Sequence, residues 1–100
     1  MLLGQVIKQP SEVFPITVTF SSELAANETV SSAVVSARNA KTGASSSVIV
    51  LSGSPTLSSS AVTQVLMGGV SNTSHVLTFK ATTTLGNVYE GEVSLLIKED

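Results

Sequence analysis

The sequence predicts an all-β sandwich of about seven antiparallel strands, and three observations carry the prediction. Residues that suit pleated strands and polar turns dominate: the 100 residues include 14 valines, 17 serines and 11 threonines, whereas good helix formers are sparse and scattered. Turn chemistry recurs roughly every ten residues, the spacing typical of sandwiches and barrels. Three stretches alternate apolar and polar side chains with the period of two that a half-buried strand requires.

The elements follow from those turns in order. Pro10-Ser11 closes a first short strand over residues 5–9, and a second runs over 14–20. In the second, Phe14, Ile16, Val18 and Phe20 share one face and Pro15, Thr17 and Thr19 the other, so the first set is expected in the core. Residues 22–27 are long enough for one helical turn at most. The third strand, 29–39, has little contrast between Ala33, Val35 and Ala37 on one side and Val30, Ser32, Val34 and Ser36 on the other, which leaves its buried face undecided. After the Lys41-Thr42-Gly43 turn, a strand is expected over 46–51. Ser52-Gly53-Ser54-Pro55 reads as the next turn, with 56–58 a short edge piece and 61–67 a further strand.

Gly68-Gly69 and Ser71-Asn72 separate this strand from the last two, 74–84 and 88–98, which form a hairpin at Leu85-Gly86-Asn87. Pairing Thr84 with Val88 would set Phe79 opposite Val93, Leu77 opposite Leu95 and Lys80 opposite Glu92. That register satisfies both faces, and the ion pair would add only about 0.2–1 kcal/mol. Seven short strands with this turn rhythm make the sandwich immunoglobulin-like.

Composition narrows the function. One hundred residues is close to the modal domain size, so one domain with one core is expected over residues 1–100. The five basic residues, Lys8, Arg38, Lys41, Lys80 and Lys98, are spread along a chain of net charge −2, without the basic stripe that neutralises phosphates; no nucleic-acid partner is expected. Without cysteine the chain has neither disulfide nor thiolate metal site, and packing and strand pairing must hold it together. The start lacks the basic and apolar regions of a secretory signal, and no apolar run approaches membrane-spanning length, so synthesis in the cytoplasm and no membrane insertion are expected. Only 12% of residues are charged, which leaves Ser and Thr to cover a mild surface suited to packing against neighbours or to a plain monomer.

No constellation for catalysis emerges. A Ser-His-acid triad has only His75 as base, and the one aspartate is Asp100. One histidine and no cysteine do not supply the three or four clustered ligands of a transition-metal site. Glu90 and Glu92 lie side by side on one strand face, whereas glycosidase carboxylates must flank a substrate from opposite sides. Gly68-Gly69 precedes no GK[ST] and opens no helix, so it reads as a turn needing positive φ, not a phosphate cradle. Asn27-Glu28 is too thin for a calcium loop. No catalytic, cofactor-binding or metal residue is assigned. His75 shares a face with Leu77 and Phe79 and is expected at the core edge, hydrogen-bonded to backbone, while Tyr89 is expected to pack its ring inward with its hydroxyl toward the loop.

Several segments carry a family resemblance. Lys8-Gln9-Pro10 and an alternating strand precede Leu24-Ala25-Ala26-Asn27-Glu28-Thr29-Val30-Ser31-Ser32-Ala33, which is similar to "L-A-x-G-E-T-I-x-S-A". Val62-Thr63-Gln64-Val65-Leu66-Met67-Gly68-Gly69, His75-Val76-Leu77-Thr78-Phe79, Thr82-Thr83-Thr84 and Gly86 are similar to "V-x-x-x-L-x-G-G … Y-x-V-T-x-x-x-T-T-x-x-G". In these features the chain resembles small immunoglobulin-like proteins encoded among phage and prophage virion genes. It departs from them near Phe20, where a tryptophan is common, and at His75, which stands where a tyrosine like the corner tyrosine of immunoglobulin domains is usual. The resemblance implies a non-enzymatic structural or accessory module without cofactors, located in the virion or in the bacterial cytoplasm before assembly. Its implied partners are other virion proteins or copies of itself. The competing reading is a module that binds a host-surface or carbohydrate ligand through loops 26–29, 52–55 and 85–87. With four aromatic residues in the chain, three of them expected in the core, that reading is short of the exposed rings sugar platforms use.

Overall fold

A computed structural model describes the backbone of residues 2–99 and the side chains of residues 4–99. Two sheets pack face to face. One has the order β1 (Leu2–Lys8), β7 (Val88–Ile97), β6 (Thr73–Thr83), β3 (Val30–Asn39); the other has β2 (Phe14–Thr19), β5 (Ala61–Leu66), β4 (Leu51–Leu57). The all-β sandwich expected from composition and periodicity is therefore what forms.

Alternation is obeyed where the sequence had contrast. In β6 and β7, His75, Leu77, Phe79 and Ala81 and then Gly91, Val93, Leu95 and Ile97 are buried, one after every second residue. In β2, Val18 and the following Phe20 are buried, while Phe14 and Ile16 are half-buried. Across the interior, Val50, just before β4, and Val62 and Leu66 of β5 join Leu77, Phe79, Leu95 and Ile97 of the first sheet in one apolar cluster. Each such side chain contributes about 1.5–3 kcal/mol by leaving water. In β3 the small residues face inward, with Ala37 buried and Ala33 and Val35 half-buried, and Val34 faces solvent at 65% exposure. One side of that strand is thus wet, which its weak contrast had left open.

Four expectations need correction. The β6–β7 register pairs Thr82 with Val88, Phe79 with Gly91, Leu77 with Val93 and His75 with Leu95, two residues away from the expected one. The reason is the turn. Thr83 N donates to Asn87 O (2.9 Å) and Gly86 N to Thr83 O (3.0 Å), so three residues form the loop, with Gly86 at φ +82. Thr84 is drawn sideways, its N–H bonding Thr29 O at 2.9 Å. A slip of two leaves every side chain on its expected face. Lys80 therefore lies opposite Glu90, and Glu92 pairs with Arg38 at 3.4 Å across an exposed face.

The first strand is not antiparallel. The chain crosses from one sheet to the other at Pro10, so β1 does not pair with β2; it runs parallel to β7, with Val6 beside Leu95 and Lys8 beside Ile97. A strand is also not what residues 46–51 form. Ser46 O accepts from Ile49 N (3.0 Å) and Val50 N (3.1 Å), closing one helical turn, α1 (Ser47–Val50). Ser47 Oγ accepts from Ala37 N at 3.0 Å, so a hydroxyl takes the place of a ladder partner and releases the chain toward the other sheet. Finally, residues 52–55 are no turn. They form a bulge inside β4, which absorbs the edge piece expected at 56–58. Gln64, buried in the core, donates from Nε2 to the carbonyls of Ser52 (3.1 Å), the last paired residue before the bulge, and Gly53 (3.2 Å), within it.

Gly68 ends β5 in the left-handed region at φ +53, and a Cβ there would lie 2.7 Å from the carbonyl oxygen of Ile49, a backbone atom of α1. Gly68→Ala is expected to lower stability by about 1–3 kcal/mol, read as a lower urea midpoint, because neither the φ nor the contact relaxes without moving backbone. Gly86 has no atom within 4 Å of its built Cβ. Gly86→Asn, a residue that tolerates this conformation, should therefore shift the midpoint far less.

Candidate interaction surfaces

The strand order gathers the connections at two ends. The segments 20–29, 58–60 and 84–87 meet at one, here called the hairpin end; 9–13, 40–50 and 67–72 meet at the other, the crossover end.

Glu28 organises the hairpin end. It is buried, and its carboxylate accepts from Ala25 N (2.8 Å), Asn87 Nδ2 (2.8 Å) and Thr83 Oγ1, joining two connections. The Thr83 hydroxyl first, then the Ala25 amide and Asn87, hold its carboxyl below the usual glutamate value of 4.5 against the opposing effect of burial. Loops 26–29 and 85–87 thus come together as expected. Residues 52–55 do not join them, since they lie within β4. Tyr89 is half-buried against the core, in a cleft of about 270 Å³ with Phe20, Ser22 and Glu23. Phe20 is itself buried, so Tyr89 is the one aromatic ring this rim has to offer.

Two buried polar side chains, those of Lys8 and His75, build the crossover end from beneath. Lys8 follows Val6 on the inward face of β1 and is wholly buried; its Nζ donates to the carbonyls of Gly68 (2.7 Å), Gln9 (2.8 Å) and Pro10 (3.3 Å). Burial pushes its ammonium below the usual lysine value, with Glu12 opposing. One cation thereby ties the first crossover to the Gly68 bend. Sequence reasoning missed this role, although Lys8 sharing a face with Val6 was the available signal.

His75 is buried as expected, but its partners differ: Nδ1 lies 2.8 Å from Ser46 Oγ and Nε2 3.1 Å from Thr73 Oγ1. The expected backbone bond, by analogy with a corner tyrosine, is replaced by two side-chain hydroxyls. Thr73 Oγ1 already donates to Val70 O, so it accepts from Nε2–H, and Nδ1 accepts from Ser46. Burial lowers the His75 pKa from 6.5, favouring this neutral ring. On top of the fixed base sit exposed aliphatic side chains: Val48 of α1 at 86%, Val70 at 66% and Ile49 at 46%. Ile49 and Val70 share a shallow groove of about 170 Å³ with His75 and Thr73.

The residues weighed for catalysis are not brought together. Glu90 and Glu92 are two residues apart on the outer face of β7, away from His75, whose partners are hydroxyls. Asp100 lies outside the described residues. Among the described residues, no group of three or more His, Cys, Asp or Glu side chains converges as a metal site.

Acid should weaken the fold in two steps. His75 and Glu28 both have depressed pKa values when folded, so on acidification the unfolded chain takes up protons first. Their contributions are complete at pH 7. That of His75 declines as pH falls below 6.5, and that of Glu28 as pH falls below 4.5 toward its folded value. Urea midpoints measured from pH 7 to pH 3 should fall through both windows. Glu28→Gln should have a lower midpoint at pH 7 and a flatter profile below pH 4.5; a profile identical to wild type would show that the carboxylate does not tie this end.

Comparison with known proteins adds one finding. The family described as Podophage GP4 fiber-tail adaptor protein gp77 matches residues 8–96. No curated protein matches the chain. Because the match covers nearly the whole chain, from Lys8 to Leu96 within β7, the protein belongs to that family, and it is a structural or accessory module of a phage particle.

Proposed function

We propose that, as a member of this family, the chain is a non-catalytic adaptor that holds two components of a phage tail together by packing a rigid immunoglobulin-like sandwich against them. The observation that carries the reading is the crossover end, where Val48, Ile49 and Val70 stand exposed on a base fixed by Lys8, His75 and Gly68. Aliphatic groups held on a preorganised frame associate without first ordering their own backbone, which is where much of the cost of binding lies. The mild Ser- and Thr-rich surface around them supports close packing against neighbours. A strand order of β2-β5-β4 facing β7-β6-β3 supports the immunoglobulin-like description, since it matches the B-E-D and G-F-C arrangement of that sandwich. A single histidine engaged by hydroxyls supports the non-catalytic reading. The partners are other virion proteins, met after synthesis in the bacterial cytoplasm.

Val48→Asp combined with Val70→Asp tests the surface. Both side chains are mostly exposed, so the urea midpoint should stay within about 0.5 kcal/mol of wild type. The amount of the chain co-purifying with assembled tails should drop at least several-fold. Unchanged co-purification would move the contact elsewhere.

A further inference from the structure

The two flanks of the sandwich differ. On the β3/β4 side the α1 crossover closes the gap and buries Val50 between the sheets. On the β1/β2 side nothing closes it among the described residues. A groove of about 380 Å³ runs between those strands, with Val6, Ile16, Val18 and Val93 on its floor and Gln5, Thr17 and Thr19 on its rims. Val6 and Ile16 face the core yet remain half-exposed.

The rims carry unpaired backbone groups. Phe20 N bonds Ser60 O at 2.7 Å, so the even-numbered residues of the β2 strand point their amides at β5. In an antiparallel ladder the alternate residues point the other way, and the N–H and C=O of Thr17 and Thr19 therefore project from the free edge into the groove. Pro15 follows the same rule and has no N–H to leave unpaired. On the opposite rim, Lys98 N bonds Lys8 O at 2.8 Å, which turns the even residues of β1 toward β7 and the Gln5 amide away from it.

The other free edges are blunted as edges of soluble sheets usually are. β4 is bulged at Gly53 and holds Pro55, and β3 carries Arg38 and a register shift near Ser32. The β2 edge, Phe14–Thr19, has no charged residue.

We propose that this seam is a strand-acceptor site, filled by an extended, uncharged segment of another virion protein that pairs with β2 and sets aliphatic side chains on the Val6, Ile16 and Val18 floor at every second position. Unpaired amides at two-residue spacing are matched by an extended backbone, and main-chain pairing with alternate side-chain pockets is how sheets capture such segments. Charge complementarity selects the segment: among the described residues no charged side chain lines the groove, so a charged residue would lose its water without gaining a partner there. A strand of a folded second copy already has one edge paired, so it could meet the amides of one rim but not of both, whereas a free extended segment can meet both. The inference rests on the adaptor reading above.

A photo-reactive amino acid placed singly at Gln5, Thr19 or Val48 tests it in assembled particles. Expected are cross-links from Gln5 and Thr19 to one uncharged stretch of another virion protein. Cross-links from those positions to a second copy, or none while Val48 reacts, would overturn the strand-acceptor site and leave the adaptor reading standing. Absence of the wild-type chain from particles would overturn both. Thr17→Pro removes an N–H that points into the groove and leaves the β2–β5 ladder its donors. It also removes the hydroxyl bond from Thr17 to Thr63 (2.8 Å), so Thr17→Val, which loses that bond and keeps the N–H, is the control. Incorporation of Thr17→Pro should fall at least ten-fold below that of Thr17→Val, and incorporation equal to the control would refute the site.

Discussion

The β6–β7 ladder is the constraint on which the rest of the structure depends. Its ten paired positions include four consecutive buried, inward positions on each strand, and the neighbouring elements are positioned against them. β1 lies along β7, β3 lies along β6, and the second sheet closes over Leu77, Phe79, Leu95 and Ile97. With no cysteine or tryptophan in the chain, this apolar interface does what a disulfide packed on a large ring does in antibody-type sandwiches. The three-residue loop at Gly86 sets the register and so decides which groups meet throughout that sheet.

Polar residues then fix the ends that an apolar interior leaves loose. Lys8, Glu28, Gln64 and His75 are all buried, and each reaches carbonyls, amides or hydroxyls of a different segment. Among the described residues, no buried side-chain nitrogen or oxygen lacks a hydrogen-bond partner. Each link therefore avoids the penalty of a desolvated polar atom and holds a connection in one conformation. The exposed aliphatic residues at the crossover end gain their rigidity from this arrangement: α1 rests on Ser46 and Ser47, which are held by His75 and Ala37.

Much of this architecture was legible in the sequence, for reasons particular residues make plain. Phe14 to Phe20 and the two final strands alternate with strong contrast, and their buried faces follow directly. Where contrast was weak, as with Ala33 and Ala37 against Val34, periodicity had no hold. Val48, Ile49 and Val50 are β-branched and argued for a strand, but hydroxyl bonds from Ser47 to β3 overrode that preference. The β1 pairing was invisible because partner choice across some ninety residues depends on where the chain crosses between sheets, not on local pattern. Lysine at a strand end is ordinarily solvated, which hid the role of Lys8. The interaction surfaces were the least legible: they arise from distant segments that come together only after folding, as Ile49 does with Val70.

The parallel pairing of β1 with β7 has a mechanical consequence. If tension enters through the two chain ends, β1 is drawn back along its own axis and β7 forward along its own. The six paired positions between them are then loaded in shear and share the force, instead of parting one after another as in a peeled hairpin. The strand that bears this load is the one pinned by Lys8, so the buried ammonium sits at the far anchor of a clamp.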